Sequence, residues 1–329
     1  MDLGMRWRKT ATAWRRWRDG QAGPAGVWLP LLDEAAIQQL ARQAATGTDS
    51  AGQREVDYRL HGDSPARRLG AGLDYAESRP FQPGDEPRFM NWRLLARTGE
   101  HFVKVFREER RPGVFLLVDR RAGMRFGTRR RLKVTQAARV ATLIAFAAAR
   151  AQMAIGGVML ETRPRWLRDL RGEAGAHRLA QAAATPCPPS CHSSAQGQGA
   201  APALAAPLDL LRASLPRGTR IYLISDFADL DTTLTPTLMA LARAHTIQAV
   251  HIVDAAEQGL PTVGPLWLAP AAGQAARYVN TDDPAVTADY ARAAEACLAG
   301  REAVLRAAGI PCRRLPATCE AIERELVLP

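Results

Sequence analysis

Three short, largely apolar runs, 114–118, 221–225 and 249–253, each lead directly into an aspartate: Asp119, Asp226 and Asp254. A run such as Val114-Phe115-Leu116-Leu117-Val118 has no polar alternation, which is the pattern of a strand covered on both faces, as in a parallel sheet. Helical spacing recurs between these runs. In 133–150, Val134, Ala137, Ala138, Ala141, Ile144, Ala145 and Ala148 share one face, and 235–244 and 286–308 also read as helices. Residues 155–160 and 311–315 complete the strands, and 317–326 reads as a closing helix. Strands alternating with helices at this spacing predict an α/β fold with a doubly wound, mostly parallel sheet of the Rossmann type.

The chain around this unit divides into other segments. Residues 1–54 form a basic, aromatic segment with a short helix expected at 33–43. Residues 55–111 read as a β-containing, loop-rich region with a strand at 55–60, and 112–329 is the α/β domain. Between 172 and 216 the composition shifts to Ala, Gly, Pro, Ser and Gln, and its centre, 185–207, reads as a flexible insertion.

With 329 residues, 47% of them apolar and 23% charged, the chain can bury a sizeable core and is neither a disordered tail nor a coiled coil. The apolar run 140–149 lies between Arg139 and Arg150 and falls short of the roughly 20 residues of a membrane span. No secretory h-region is visible, so a cytoplasmic location is expected, with peripheral contact at the inner membrane as the alternative. The five cysteines are sparse and odd in number, which fits a reducing compartment without structural disulfides. Cys187-x-x-x-Cys191-His192 offers only half a zinc site and reads as incidental.

The net charge of +11 implies attraction to polyanions but says nothing of fold. Near the start, Arg6, Arg8, Arg15 and Arg16 alternate with Trp7, Trp14 and Trp17, a composition suited to an anionic membrane surface or a polyanion. The plainer alternative is a terminus whose tryptophans fold back on the domain. No recognised nucleic-acid motif accompanies it, so no specific nucleic acid is expected.

Ligands of open α/β sheets sit beyond the carboxyl ends of the strands, where Asp119, Asp226 and Asp254 fall. These carboxylates suit a divalent cation, and equally they suit helix capping and turn formation. A second cluster, Arg79, Asp85, Arg88, Asn91, Trp92, Arg93, Arg97 and Lys104, mixes guanidinium groups, carboxylates and an indole. It is either a charged docking face or an internal network pairing with Asp85, Glu108 and Glu109, with Trp92 expected in the core.

The order of residues in this region carries a family resemblance. Arg67 to Gly72 with Leu73-Asp74-Tyr75, then Arg79 through Pro83-Gly84-Asp85, Arg88 and Asn91-Trp92-Arg93, then Ala96-Arg97-Thr98-Gly99, and Lys104 with Glu108-Glu109, lead into the strand ending at Asp119. This series, with Ile224-Ser225-Asp226 later, resembles the bacterial "domain of unknown function 58" family, whose core is similar to a von Willebrand factor A domain. The resemblance implies a non-enzymatic accessory protein of a MoxR-type AAA+ ATPase, acting in assembly or maturation of other complexes, with that ATPase and its clients as partners and no cofactor. The chain contains no G-x-x-x-x-G-K-[ST] loop, consistent with ATP being handled by the partner.

The chain departs from von Willebrand A domains where these bind a metal. Their Asp-x-Ser-x-Ser aligns with Asp119, Arg121 and Gly123, so both serine ligands are replaced. Arg121 is always charged and repels a cation, so the site of Asp119, Arg121, Gly123 and Asp226 is expected to hold no metal, with Arg121 paired to Asp119 or Asp226. Asn91 stands where the family often has aspartate, and Gln152-Met153 where it often has Gly-Asp. Two alternatives to the adaptor are a metal-dependent phosphohydrolase or nuclease using Asp119, Asp226 and Asp254, and a polyanion- or membrane-binding module working through the Arg/Trp terminus. The absence of a neighbouring histidine or glutamate as an obvious base weakens the first.

Overall fold

The computed structural model describes residues 29–46, 74–82, 86–107, 113–187, 203–268 and 277–329. They belong to two compact units, one of residues 57–111 and one made of the rest of the chain. The expected strand at 55–60, Asp85, Glu108 and Glu109, the Arg/Trp terminus from Arg6 to Trp17, and Cys191-His192 lie outside the described residues.

The smaller unit is built on an antiparallel pair, β1 (Asp74–Pro80) and β2 (Phe102–Arg107), with an irregularity between Tyr75 and Glu77. A short helix, α2 (Trp92–Thr98), lies between them in sequence, following α1 (Glu34–Thr46) of the larger unit. Asn91 starts α2 by accepting from Leu94 N and ties it to β1 by donating from Nδ2 to Ser78 Oγ at 2.9 Å. Gly99 ends it at φ 75°, the left-handed conformation that a C-terminal cap requires.

The larger unit contains a six-stranded sheet. Its strands are β3 (Val114–Asp119), β4 (Ile155–Leu160), β5 (Arg165–Leu170), β6 (Arg220–Ser225), β7 (Thr246–Val253) and β10 (Cys312–Pro316), in the spatial order β10-β7-β6-β3-β4-β5. All neighbours are parallel except β4 and β5. Alternate residues of β3 point to opposite cores: Val114, Leu116 and Val118 to one, Phe115 and Leu117 to the other. The first core is covered by α1, α3 (Lys133–Arg150) and α4 (Gly172–Ala184), the second by α5 (Ala205–Ser214), α6 (Thr235–Ala244) and α7 (Pro284–Ala307). The fold is therefore α/β and doubly wound, Rossmann-like, with helices on both faces.

Every residue of α3 except Arg150 is buried, because the helix is enclosed between the sheet, α1 and α4. Its many alanines permit that close approach, and its buried charges are paired, Lys133 with Asp226 and Glu257 and Arg139 with Glu320.

Several expected elements are corrected. Of the insertion expected at 185–207, residues 185–187 and 203–207 are described: Cys187, Leu204 and Pro207 are buried, and α5 begins at Ala205. Leucines facing the second core draw this Ala/Pro-rich stretch into the fold. The closing helix expected at 317–326 is a single turn, Ile322–Arg324. Here the Cys319 carbonyl accepts from Gln136 Nε2 at 2.8 Å and Arg139 Nη1 at 3.0 Å, and Glu320 pairs with Arg131 and Arg139, so side chains of α3 and the loop before it capture the groups a helix would use. β5 and the hairpin of β8 (Pro265–Leu268) and β9 (Arg277–Asn280) are additions to the elements read from sequence.

Trp92, expected in the core, is 62% exposed. The seven-residue α2 half-buries Leu94 and Leu95 instead. No helix among the described residues is long and apolar enough to cross a membrane.

Candidate functional site

β3 is followed in the sheet by β4 on one side and by the later strand β6 on the other, so the winding reverses at the β3–β6 boundary. That boundary is where open α/β sheets place their ligands. The carboxyl ends of β3, β6 and β7 deliver Asp119, Ser225-Asp226 and Asp254 to this edge.

Arg121 sits at its centre. The guanidinium donates from Nε to Asp119 Oδ1 at 3.0 Å and from Nη2 to Asp119 Oδ2 at 2.7 Å. It also forks onto Asp229, Nη1 to Oδ2 at 2.5 Å and Nη2 to Oδ1 at 2.8 Å. Burial opposes the charge on Arg121, but the hydrogen bonds and charges of Asp229 and Asp119 hold its pKa above the ordinary value. Asp229 is likewise held below the usual carboxylate range: burial would raise it, and the Arg121 and Leu204 N donors outweigh that. Ser225 Oγ donates to Asp119 Oδ2 at 2.6 Å and accepts from Phe227 N at 2.9 Å, fixing the turn that follows β6. In that turn Phe227 adopts φ 50° with its ring fully buried, a left-handed conformation uncommon for an aromatic residue.

A second cation stands beside the first. Lys133, the first residue of α3, is 1% exposed and donates from Nζ to Asp226 Oδ2 at 2.7 Å and Glu257 Oε1 at 2.6 Å. Desolvation opposes its charge, and the fields of Asp226 and Glu257 raise its pKa overall. Asp226 is lowered for the complementary reason, Lys133 outweighing burial. Gly123 allows the β3–α3 loop to pass close to this pair, since a Cβ there would stand 2.9 Å from Asp226 Oδ2.

Asp254 has a different task. It caps the turn Ala255–Glu257 in a reciprocal capping box, and its carboxylate accepts from Thr128 N at 3.0 Å and from Thr128 Oγ1. Of the two readings offered by sequence, capping is what this side chain does.

The structure thus brings Asp119, Arg121, Gly123 and Asp226 together, as their strand-end positions predict. The pairing differs in one respect: Arg121 binds Asp119 and Asp229, whereas Asp226 belongs to Lys133. Asp229, Lys133 and Glu257 are site residues that the sequence does not single out, and Ser225 enters there only as part of the Ile224-Ser225-Asp226 motif. One signal existed, since a lysine at the first position of a helix opposes the helix dipole unless carboxylates face it.

In the smaller unit, Arg88 pairs with Glu86 and lies over the Phe89 ring at 4.7 Å, and Arg79 Nη1 donates to Pro80 O at 3.1 Å. Arg93, Arg97 and Lys104 are exposed, as is Trp92, while Asn91 is engaged as the α2 cap. Arg88, Arg93 and Arg97 are exposed and Arg79 is half-buried, while Asp85, Glu108 and Glu109, the carboxylates of the expected internal network, lie outside the described residues.

One further group of potential ligands occurs among the described residues: His251, Glu302 and Cys312. His251 Nδ1 lies 3.0 Å from Glu302 Oε1, and both Glu302 oxygens bind Arg314, at 2.7 and 3.0 Å. Burial pushes the Cys312 thiol up to about 12. A protonated thiol and a carboxylate already forked by arginine make a poor donor set, and these contacts act as a link between β7, β10 and α7.

Comparison with known proteins places the chain in context. It is 32% identical over 295 residues, 88% of its length and 89% of theirs, to uncharacterized proteins of Mycobacterium bovis and of two strains of Mycobacterium tuberculosis. Among solved structures it is similar to a conserved hypothetical protein BatB from Bacteroides thetaiotaomicron, with TM-score 0.38 and 10% identity over 65% of this chain and 97% of that one. It is also similar to an aerotolerance-related membrane protein from Bacteroides fragilis, with TM-score 0.34 and 10% identity over 60% of this chain and 99% of that one. Residues 77–299, spanning β1 residues through most of α7, match the family described as protein of unknown function DUF58, and with relatives this similar over almost their whole length the chain belongs to that family.

Proposed function

We propose that this protein is a non-enzymatic accessory module that binds a MoxR-type AAA+ ATPase and its clients in the assembly or maturation of other complexes. The carboxyl edge of the sheet is read as a degenerate metal-ion-dependent adhesion site of a von Willebrand A-like domain, with the cation's charge supplied from within the chain. One observation carries this: Arg121 and Lys133 engage Asp119, Asp229, Asp226 and Glu257 in direct ion pairs. A carboxylate engaged in this way is a poor metal ligand and a poor general base, and it is a good rigid element of a contact face. A cytoplasmic location follows from an ATP-dependent partner.

Affinity capture of the tagged chain from nuclease-treated host lysate, with ATP or ADP present, tests the proposal. An AAA+ ATPase retained in a nucleotide-dependent manner is the expected result. Metal-stimulated phosphodiester hydrolysis that is lost in Asp226→Ala would replace the adaptor by the hydrolase reading.

A further inference from the structure

The loop joining β3 to α3 is fixed at many points. Met124 is fully buried, Arg125 Nε donates to Arg120 O at 3.2 Å, and Thr128 is held by Asp254 through both its backbone and its hydroxyl. Lys133 N donates to Phe126 O at 2.8 Å, Arg131 reaches Glu320, and a Cβ at Gly127 would collide with the Arg131 carbonyl, so the chain doubles back tightly.

Three side chains on this braced loop do little inside the protein. Phe126 is 40% exposed, its only ring partner among the described residues being Lys133 at 5.9 Å. Arg129 and Arg130 are exposed and make no hydrogen bond or ion pair among the described residues. A fixed backbone presenting two arginines and an aromatic ring loses little entropy on association, and these residue types dominate interface energetics.

We infer that Phe126, Arg129 and Arg130 form a docking surface for an acidic segment of a partner protein, with the guanidinium groups forking its carboxylates and Phe126 packing against an apolar side chain beside them. The inference rests on reading the domain as a protein-binding module and names the chemistry of its contact. Polyanions fit less well. The ion-paired edge next to the loop holds Asp119, Asp226, Asp229, Asp254 and Glu257 against Arg121 and Lys133. That excess of carboxylates repels a phosphate backbone laid across the edge, while a short acidic segment meeting only the loop tip avoids it.

The test compares the full chain with Arg129→Ala/Arg130→Ala and with Phe126→Ala. Arg163→Ala/Arg171→Ala, at two exposed arginines elsewhere in the domain, removes the same charge as a control. Thermal melts verify folding. Fluorescence anisotropy with a short labelled peptide of glutamate and leucine should show affinity about tenfold weaker for each tip variant and unchanged for the control. Equal losses in tip and control variants, no measurable peptide binding, or tip-dependent binding of duplex DNA or phosphatidylglycerol vesicles in preference to the peptide each overturn the inference. A second arm uses the host's purified MoxR-type ATPase. If it binds the wild type and the tip variants alike and the peptide shows no dependence on the tip, the docking surface is wrong and the adaptor reading stands. If the peptide binds through the tip but the ATPase does not bind at all, the docking surface stands and the adaptor reading fails.

Discussion

Arg121 joins two aspartates that are far apart in sequence: one guanidinium meets Asp119 at 2.7 Å, at the end of β3, and Asp229 at 2.5 Å, in the loop after β6. The planar fork of arginine matches both carboxylates at once, which a lysine ammonium cannot do. Arg121→Lys should therefore keep the charge yet lose about 1–3 kcal/mol of stability in urea unfolding. Stability unchanged within error would show that the bridge contributes nothing.

Lys133 is the more buried of the two cations, and its removal leaves Asp226 without its ion-pair partner in a dry environment. Lys133→Met should destabilise the protein by about 3–5 kcal/mol. Adding Asp226→Asn to that variant removes the stranded charge and should recover part of the loss. A double variant less stable than the single one would contradict this view of the pair.

The strands and helices nearest the switch point were legible because their signal is local. Residues 133–150, 155–160 and 235–244 form the elements expected of them, with the same bounds. β5 escaped notice because its arginines and Asp169 hide the apolar positions of an exposed edge strand, and β8 and β9 have only four residues each. The site was half legible. Asp119 and Asp226 announced themselves by standing at strand ends, but Arg121 finds Asp229 across 108 residues and Lys133 finds Glu257 across 124, and neither pairing has a local pattern.

Gly123 provides a steric test of the same edge. Gly123→Ala puts a methyl group 2.9 Å from Asp226 Oδ2, so the carboxylate must move against its bond to Lys133. A loss of about 1–3 kcal/mol is expected, comparable to overpacking elsewhere in protein interiors. An equally stable variant would mean that the loop yields instead.

The pH dependence of stability has a defined sign at each end. Asp226 and Asp229 titrate below the usual carboxylate range when folded, so their contribution is present above about pH 4 and lost as pH falls through their folded values. His251 is lowered, chiefly by burial, so the unfolded chain takes up a proton first and stability begins to fall below about pH 6.5. Lys133 is raised, and its contribution persists through about pH 10 and is lost only as pH rises through its folded value. Melting temperatures across this range should decline in acid in two stages, and Asp229→Asn should flatten the lower one. A lower stage unchanged in that variant would remove Asp229 from the explanation.

These internal ion pairs also predict the response to divalent cations. Calorimetric titration with magnesium or manganese should give no saturable binding at the carboxyl edge, because Arg121 and Lys133 occupy the carboxylates. Binding that disappears in Asp119→Ala would show that the edge takes a metal after all.

Binding between the purified full chain and the host's purified MoxR-type ATPase, measured by biolayer interferometry with ATP and with ADP, tests the adaptor function without intermediaries. Saturable, nucleotide-dependent association is the predicted result. Absence of association in both nucleotide states would contradict the adaptor function.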